Sequence, residues 1–355
     1  MKKTFLLIAL AAAIVSSCKK ESQTTMPSSA DKVSTELMDQ FFAKHSPKDE
    51  KFTLDASTGG TLEMRSGTKI FFPPNVFQTQ NGDPVSGTIS VIARDILKPS
   101  SMILADKPTL TSSGEMLESF GEIIVSAQQN KEELVLNKDR TASVEVPIGL
   151  GPKAQRREIP MWEGDTVISV TQDGYNHENV LTTVSYLVGV RKGMVWDQIP
   201  GFGVASTNTT VFPLDALGAW RNCDALYNDP RPKTTVLGYF GDKFNSETGN
   251  SYSSSDPSLL FFKTKGTNTL VKLYNTIFQP APGKEGLLSY QDMMPIGQEG
   301  TFLAISAKNS KLYAEIKDVS IPAPDAGKNY VGFNFELQEV SETQLLNMID
   351  QMNTK

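Results

Sequence analysis

Residues 88–94, TISVIAR, decide the fold class of this chain of 355 residues. Isoleucine, valine and threonine dominate this run and partly alternate with small or polar residues, which is the pattern of a half-buried β-strand. Residues 122–128 and 142–146 have the same character. Turn-forming residues flank and separate these runs, among them residues 81–84 (NGDP) and Ser113-Gly114. Short strands at this spacing, without helical patterns between them, predict a β-sandwich.

The second half of the chain has the same β character. Its predicted strands are residues 234–240, 258–263, 270–274, 301–307, 312–321 and 330–337. A short amphipathic helix is predicted at residues 34–44, and another opens with the capping box SETQ at residues 341–344. We therefore predict an all-β fold with two β-sandwich-like domains and short flanking helices at the N-terminal linker and the C-terminus.

The N-terminus has the features of an export signal. Two lysines precede an apolar run at residues 4–15, which is shorter than the roughly 20 residues that a membrane-spanning helix needs. Residues 15–18, VSSC, resemble the lipobox of bacterial lipoprotein precursors, in which a peptidase cuts before a lipidated cysteine, here Cys18. An ordinary signal peptide with an incidental cysteine is the alternative. It explains less well why one of only two cysteines stands at this position.

The lipobox resemblance implies a diacylglyceryl group and a further acyl chain, such as palmitate, on Cys18. Stable anchoring requires more than one chain, so we expect a protein held by lipid at the outer membrane. Residues 19–32 contain almost no apolar side chains and predict a flexible spacer. The spacer begins Lys-Lys-Glu, which resembles the charged segment of surface-exported Bacteroidota lipoproteins but is less acidic. Both a periplasmic and a cell-surface orientation therefore stay open.

Two stretches resemble the opening of the ZU-five β-sandwich domain of ankyrins and netrin receptors: residues 59–62 (GGTL) and 66–77 (SGTKIFFPPNVF). The ZU-five pattern has Gly-Ala where this chain has Asn75-Val76. The same start, together with the turn GDPV at residues 82–85 and the segments 100–105 and 113–119, is similar to a family of Bacteroidota lipoproteins. The resemblance implies a β-sandwich in the cell envelope. It implies interaction or scaffolding rather than catalysis, because ZU-five domains are interaction modules.

These observations divide the chain into five parts. Residues 151–157, GPKAQRR, are rich in helix and strand breakers and in charge, and they mark a boundary after the first β-domain. The expected parts are a signal peptide at residues 1–17, a tether at 18–33, a helix with a ZU-five-like β-sandwich at 34–150, a bridging β segment at 151–210, and a second β-domain with a C-terminal helix at 211–355.

Composition excludes several kinds of site. With Cys18 lipidated, Cys223 is the only other cysteine, so the mature chain cannot form an internal disulfide. His45 and His177 are the only histidines, too few for a metal site of imidazole and thiolate ligands, and we expect both in exposed loops. We expect no metal or other cofactor. The net charge of -6, with acidic and basic residues interspersed, argues against a nucleic-acid partner.

The densest candidate for a ligand site is residues 220–224, WRNCD. Trp220 has the chemistry to stack on a sugar or an apolar ligand, with Asn222 and Asp224 making polar contacts. The alternative, which we favour, places Trp220 and Cys223 in a core and the two polar residues at turns.

No catalytic constellation is evident in the sequence. Glu115, Glu118 and Glu122 form a carboxyl cluster of the kind that a glycosidase uses, but such clusters arise by chance in β-domains, and no serine elbow of the hydrolase type is present. We therefore expect a non-enzymatic, membrane-anchored cell-envelope lipoprotein that acts as a binding or scaffolding module on a protein or glycan partner. The alternative is a surface glycan-binding component or hydrolase.

Overall fold

The computed structural model describes residues 29–151, 155–165, 168–175, 183–191, 194–250, 257–277 and 280–355. Strands account for 48 % of the described residues and helices for 14 %. This confirms the predicted all-β fold, which consists of several sheets with short helices. Cys18 and His177 lie outside the described residues. Within the described ranges, no helix is long and apolar enough to cross a membrane.

The first part of the chain forms strands β1 to β10 and two helices. The helices are α1 Ser29–His45 and α2 Pro99–Ala105. The strands are β1 Glu50–Asp55, β2 Gly60–Glu63, β3 Lys69–Phe72, β4 Phe77–Gln78, β5 Thr88–Ile96, β6 Leu117–Gln129, β7 Glu132–Glu133, β8 Val135–Leu136, β9 Ala142–Val146 and β10 Arg157–Asp165. The predicted strand at residues 88–94 is therefore β5.

The second part forms the remaining strands and the C-terminal helix α3 Glu342–Gln351. The strands are β11 Ile168–Tyr175, β12 Thr183–Arg191, β13 Val195–Ala205, β14 Thr210–Leu214, β15 Trp220–Leu226, β16 Lys233–Tyr239, β17 Ser258–Thr264, β18 Leu270–Lys272, β19 Asn275–Thr276, β20 Gly286–Leu288, β21 Met294–Pro295, β22 Glu299–Lys308, β23 Lys311–Ser320, β24 Tyr330–Asn334 and β25 Gln338–Val340.

The largest sheet, which we call the first sheet, curls around its own core. Its order is β1-β5-β6-β15-β10-β13-β14-β9-β3-β2, with β7 also paired to β6. Its two end strands, β1 and β2, are joined by one tight turn. Gly59 in that turn has a φ of +64°, and a Cβ there would lie 2.2 Å from the carbonyl oxygen of Phe72, so only glycine fits. Side chains from all parts of the sheet, including Ile70, Val91 and Phe212, share one buried cluster.

Two five-stranded sheets form most of the rest of the body, and β4 with β8 and β11 with β12 form two-stranded sheets. One five-stranded sheet has the order β18-β17-β22-β23-β25, and the other has the order β19-β20-β16-β21 with β24 parallel to β16. Phe262, Phe302 and Val236 pack in the core between them. A further core lies between part of the first sheet, the sheet of β17 and β22, and the helices, and it includes Trp162 and Phe261.

The boundary that we expected at residue 211 falls inside the first sheet. Strands β14 and β15 both belong to that sheet, and β15 pairs antiparallel with β6 on one side and β10 on the other. The backbone hydrogen-bonding groups of β15 therefore bind on both edges to the first half of the chain. The break comes after Leu226, where Pro230 and Pro232, which lack a backbone N–H, separate β15 from β16. The expected bridging segment at 151–210 supplies β10 and β13 to the same sheet.

Both predicted flanking helices are present. Helix α1 buries Met38 and Phe41 and packs chiefly on β22. Helix α3 begins with the predicted capping box: the hydroxyl of Ser341 accepts from the amide of Gln344 at 3.3 Å, and the side chain of Gln344 accepts from the amide of Ser341 at 2.8 Å. Ile349 is among the buried side chains that hold α3 to the body.

The core between the layers depends on Trp196, which is fully buried and donates its indole N–H to the carbonyl oxygen of Pro108 at 3.0 Å. We expect Trp196→Ala to lower the free energy of unfolding by about 3–5 kcal/mol, because it leaves a large cavity. Phe202→Ala, at a side chain that is 53 % exposed, should change the free energy of unfolding by no more than about 0.5 kcal/mol. Urea unfolding followed by circular dichroism measures both, and equal losses would contradict this description of the core.

Candidate functional site: a buried carboxyl cluster

Strand β15 carries the three ligand-site candidates. The alternation of a β-strand places Trp220, Asn222 and Asp224 on one face and Cys223 on the other. Trp220 is 9 % exposed, and Asn222 and Asp224 are fully buried. The polar pair therefore lies within a central strand and not at turns, whereas Trp220 and Cys223 are core residues, as the favoured alternative expected.

A register shift between β15 and β6 brings further polar groups to this face. Asn222 lies opposite Glu122, but Asp224 lies opposite Ser119, so β6 has one extra residue in this interval. Gly121 lies in that interval with a φ of +122°, a conformation that other residues rarely adopt. The bulge thus places Ser119 and Glu122 beside the two polar side chains of β15.

Hydrogen bonds hold Asp224 from several directions. Its Oδ1 accepts from the amide of Phe120 at 3.2 Å, and its Oδ2 accepts from the side-chain amide of Asn222. The hydroxyl of Ser119 donates to the side-chain Oδ1 of Asn222 at 3.4 Å, a weak contact. The indole N–H of Trp162 donates to the backbone carbonyl of Asp224 at 2.8 Å. Burial raises the pKa of Asp224 well above its usual range, although the hydrogen bonds from Ser119, Asn222 and Phe120 oppose that shift.

Glu122 is held quite differently. Its side chain is fully buried, and among the described residues neither carboxylate oxygen has a hydrogen-bond partner. Burial first, and then the nearby Asp224, raise the pKa of Glu122 well above its usual range, while Lys107 acts in the opposite direction. A charged carboxylate without partners is costly in a protein interior. Glu122 is therefore held in its protonated form over a wider pH range than an exposed glutamate.

Two lysines lie near the cluster. The ammonium of Lys107 lies 5.6 Å from the ring centroid of Trp220, and burial lowers its pKa. Lys263 is almost fully buried, and its ammonium donates to the carbonyl oxygens of Thr264 at 2.7 Å and Lys355 at 3.2 Å. Burial lowers the pKa of Lys263 to about 8, against the opposing effect of Glu118. Burial also raises the pKa of Glu118, which is half-buried.

Titratable groups with shifted pKa values often mark active sites, but this cluster lacks access for a substrate. Glu122, Asn222 and Asp224 expose none of their surface. Only the edge of Trp220 reaches the surface, where it lines a depression of about 200 Å³ beside Arg94. The chemistry that the cluster can perform as described is to take up and release protons inside the core.

The other sequence-based candidates are dispersed. Glu115 lies just before β6, is exposed and accepts from the hydroxyl of Ser113 at 3.1 Å. It is therefore not part of one carboxyl site with Glu118 and Glu122. His45 is not in a free loop, because it ends α1 and its Nε2 lies 2.6 Å from a carboxylate oxygen of Glu342.

Cys223 is buried, and burial raises the pKa of its thiol. In the described part of the chain, no group of three or more histidine, cysteine or acidic side chains is placed to hold a metal ion.

Larger depressions lie on the surface and were not indicated by the sequence. One of about 610 Å³ lies at the ends of β22 and β23, where Lys265 pairs with Glu299 at 2.8 Å and Lys355 pairs with Asp318 at 2.9 Å. Another of about 590 Å³ is lined by residues that include Asp95. The acids of the first depression each have a lysine partner, so neither is a free carboxylate.

Comparison with known proteins gives no match to a family model, a curated protein or a solved structure.

Substitution of Glu122 tests its role in the interior. Because its pKa is higher in the folded than in the unfolded chain, its contribution to stability is present at low pH and is lost as pH rises from about 4.3 through the folded pKa. Glu122→Gln keeps the shape and removes the titration. We expect the variant to have the same free energy of unfolding as the unsubstituted protein near pH 4.5 and a higher one at pH 8, by about 1.4 kcal/mol for each unit by which folding raises the pKa of Glu122 within this pH range.

Urea unfolding at pH 4.5, 6 and 8 measures this difference. Glu132→Gln, at an exposed position of β7, is the matched control and should show no pH-dependent difference from the unsubstituted protein. A Glu122→Gln variant whose stability relative to the unsubstituted protein is the same at all three pH values would show that Glu122 has an ordinary pKa.

Proposed function

We propose that this chain is a membrane-anchored lipoprotein of the cell envelope that acts as a binding or scaffolding module. The observation that best supports a binding role is the distribution of its side chains. The converging titratable groups are enclosed in the core, whereas three of the large hydrophobic side chains exposed in the described residues, Phe71, Phe202 and Val211, lie on the outer face of one sheet. Large apolar groups gathered on one exposed face are typical of an interaction surface.

The anchoring part of the proposal rests on residues 15–18 and on where the folded body begins. Helix α1 starts at Ser29, eleven residues after Cys18. At about 3.3–3.6 Å per residue, that length reaches at most about 40 Å. A lipid on Cys18 would therefore hold the body close to a membrane and leave its sheet faces free for a partner.

A hydrolase or glycan-binding component is the second candidate, and the 610 Å³ depression is the observation that favours it. Glu299 and Asp318 both line this depression on neighbouring strands. If it is catalytic, turnover on a panel of glycans and esters should be detectable and should disappear in both Glu299→Gln and Asp318→Asn. Absence of turnover in the unsubstituted protein supports the binding module.

The anchor is tested by removing the lipidated thiol. We expect Cys18→Ala to leave the membrane fraction or to accumulate with its signal peptide uncleaved, because no other residue can take the lipid at that position. Cell fractionation, immunoblotting and intact mass of the mature protein measure the outcome. Cys223→Ala, which changes the other cysteine, should stay fully processed and membrane-bound. A Cys18→Ala protein that is cleaved and still membrane-bound would contradict the proposed anchor.

A further inference from the structure

Six neighbouring strands of the first sheet share an outer face that the other sheets do not bury. The strands are β10, β13, β14, β9, β3 and β2 in that order. Their inward side chains, such as Ile159, Phe212, Val144 and Ile70, lie in the core that the sheet encloses. Because side chains alternate along a strand, the residues between these inward ones must point outward.

Strand register arranges the outward residues in two rows. The first row runs across the six strands as Glu158, Val204, Val211, Glu145, Lys69 and Glu63. The second row lies two residues along each strand and contains Pro160, Phe202, Pro213, Ser143, Phe71 and Thr61. The apolar members on β10, β13 and β14 adjoin one another, and Phe71 lies one strand further along, beyond Ser143. We call this group the outer apolar face: Phe71, Pro160, Phe202, Val204, Val211 and Pro213.

The outer apolar face is exposed to an unusual degree. Phe202 is 53 % exposed, Phe71 is 45 % exposed and Val211 is 38 % exposed. The core of this sheet is already filled by the inward side chains, so these residues are not needed for packing. Three large hydrophobic side chains gathered on one rigid sheet indicate a surface that a partner covers.

The size of the face limits what can cover it. Strands lie about 4.8 Å apart, and residues on the same side of a strand are about 7 Å apart, so five strands and two rows span roughly 300 Å². A stable dimer buries about 800 Å² on each partner. The outer apolar face is therefore too small for a second copy of this chain to dock on it alone, and it suits a single short segment.

Charge identifies the chemistry of that segment. Glu158 stands at one end of the first row, and Glu145 and Glu63 stand toward the other, with Lys69 between these two. Within this row three carboxylates stand against one ammonium, so the row forms an acidic border along one side of the apolar centre, with the exposed Arg156 two residues beyond Glu158. A complementary partner carries lysine or arginine on either side of apolar residues. Anionic lipid headgroups would be repelled by the same border.

The position of α1 also disfavours the membrane as the occupant. Helix α1 carries the chain that leads to Cys18, and it packs on β22 and β23. In the described residues, its main contacts are therefore with a different sheet from the one that bears the outer apolar face.

We propose that the outer apolar face docks a short segment of another envelope protein, in which apolar residues are flanked by lysine or arginine. This inference rests on the proposed binding function and specifies the surface and the partner chemistry.

Site-specific photo-crosslinking of the full-length protein in intact cells tests the proposal. The probe is Phe202→p-benzoylphenylalanine, and the matched control is the same substitution at Leu226, which is 45 % exposed on β15. We expect the probe at 202 to form one protein adduct whose crosslinked peptide, identified by mass spectrometry, is apolar with basic flanks. The double substitution Glu145→Lys and Glu158→Lys should lower the yield of this adduct at least tenfold, because it reverses the border and leaves the apolar residues unchanged.

Each other result overturns the proposal. The proposed surface is wrong if no adduct forms at 202. The proposed partner chemistry is wrong if the adduct is to lipid or to a second copy, if the crosslinked peptide lacks basic residues, or if charge reversal leaves the yield unchanged. If the probe at Leu226 captures a partner and the probe at 202 does not, the binding function stands and only this surface is wrong. If neither probe captures a protein and the chain turns over a glycan or ester, the proposed function itself is wrong.

Discussion

The structure depends on strand β15 being hydrogen-bonded along both edges. One edge binds β6 and the other binds β10, so residues that lie far apart in the chain meet on one short strand. Its paired backbone groups are turned away from solvent. The sheet of β17 and β22 covers its outer side as well, so β15 buries its side chains on both faces. This is why Asn222 and Asp224, which would be ordinary polar residues on an edge strand, are enclosed. The bulge at Gly121 then brings Glu122 beside them, and the interior acquires two acids without a fully paired cation.

Burial of these acids and exposure of phenylalanine elsewhere are two results of the same curled sheet. One part of the outer surface of the first sheet is covered by the sheet of β17 and β22, and there polar groups are enclosed with Trp162 and Trp220. The other part is not covered by a second layer, and there Phe71 and Phe202 remain exposed. Titratable groups are therefore enclosed in the core, whereas apolar groups are available to other molecules. This arrangement is the opposite of that of a typical active-site cleft.

Local signals in the sequence were sufficient for some elements. The β-branched run at residues 88–94 predicted β5, and the capping box at Ser341 predicted α3, because both depend on neighbouring residues alone. The boundary at residue 211 was misplaced because strand pairing is not a local property: nothing in the Trp220 segment shows that it inserts between β6 and β10. The bulge at Gly121 follows from that pairing, and the burial of Lys263 follows from the pairing of β17 with β18 and β22. Both were missed for the same reason. Resemblance to the ZU-five opening implied a sandwich but did not place the outer apolar face.

Helix α1 has a mechanical consequence if the chain is held at Cys18. A pull between the membrane and a bound partner enters the folded body at the start of this helix. There the hydroxyl of Ser34 accepts from the amide of Ser310 at 3.0 Å, and at the far end Lys44 and His45 contact Glu342. A pull on the anchor therefore enters the body through the β22–β23 hairpin and α3, along a packed helix, and not through a strand of the first sheet.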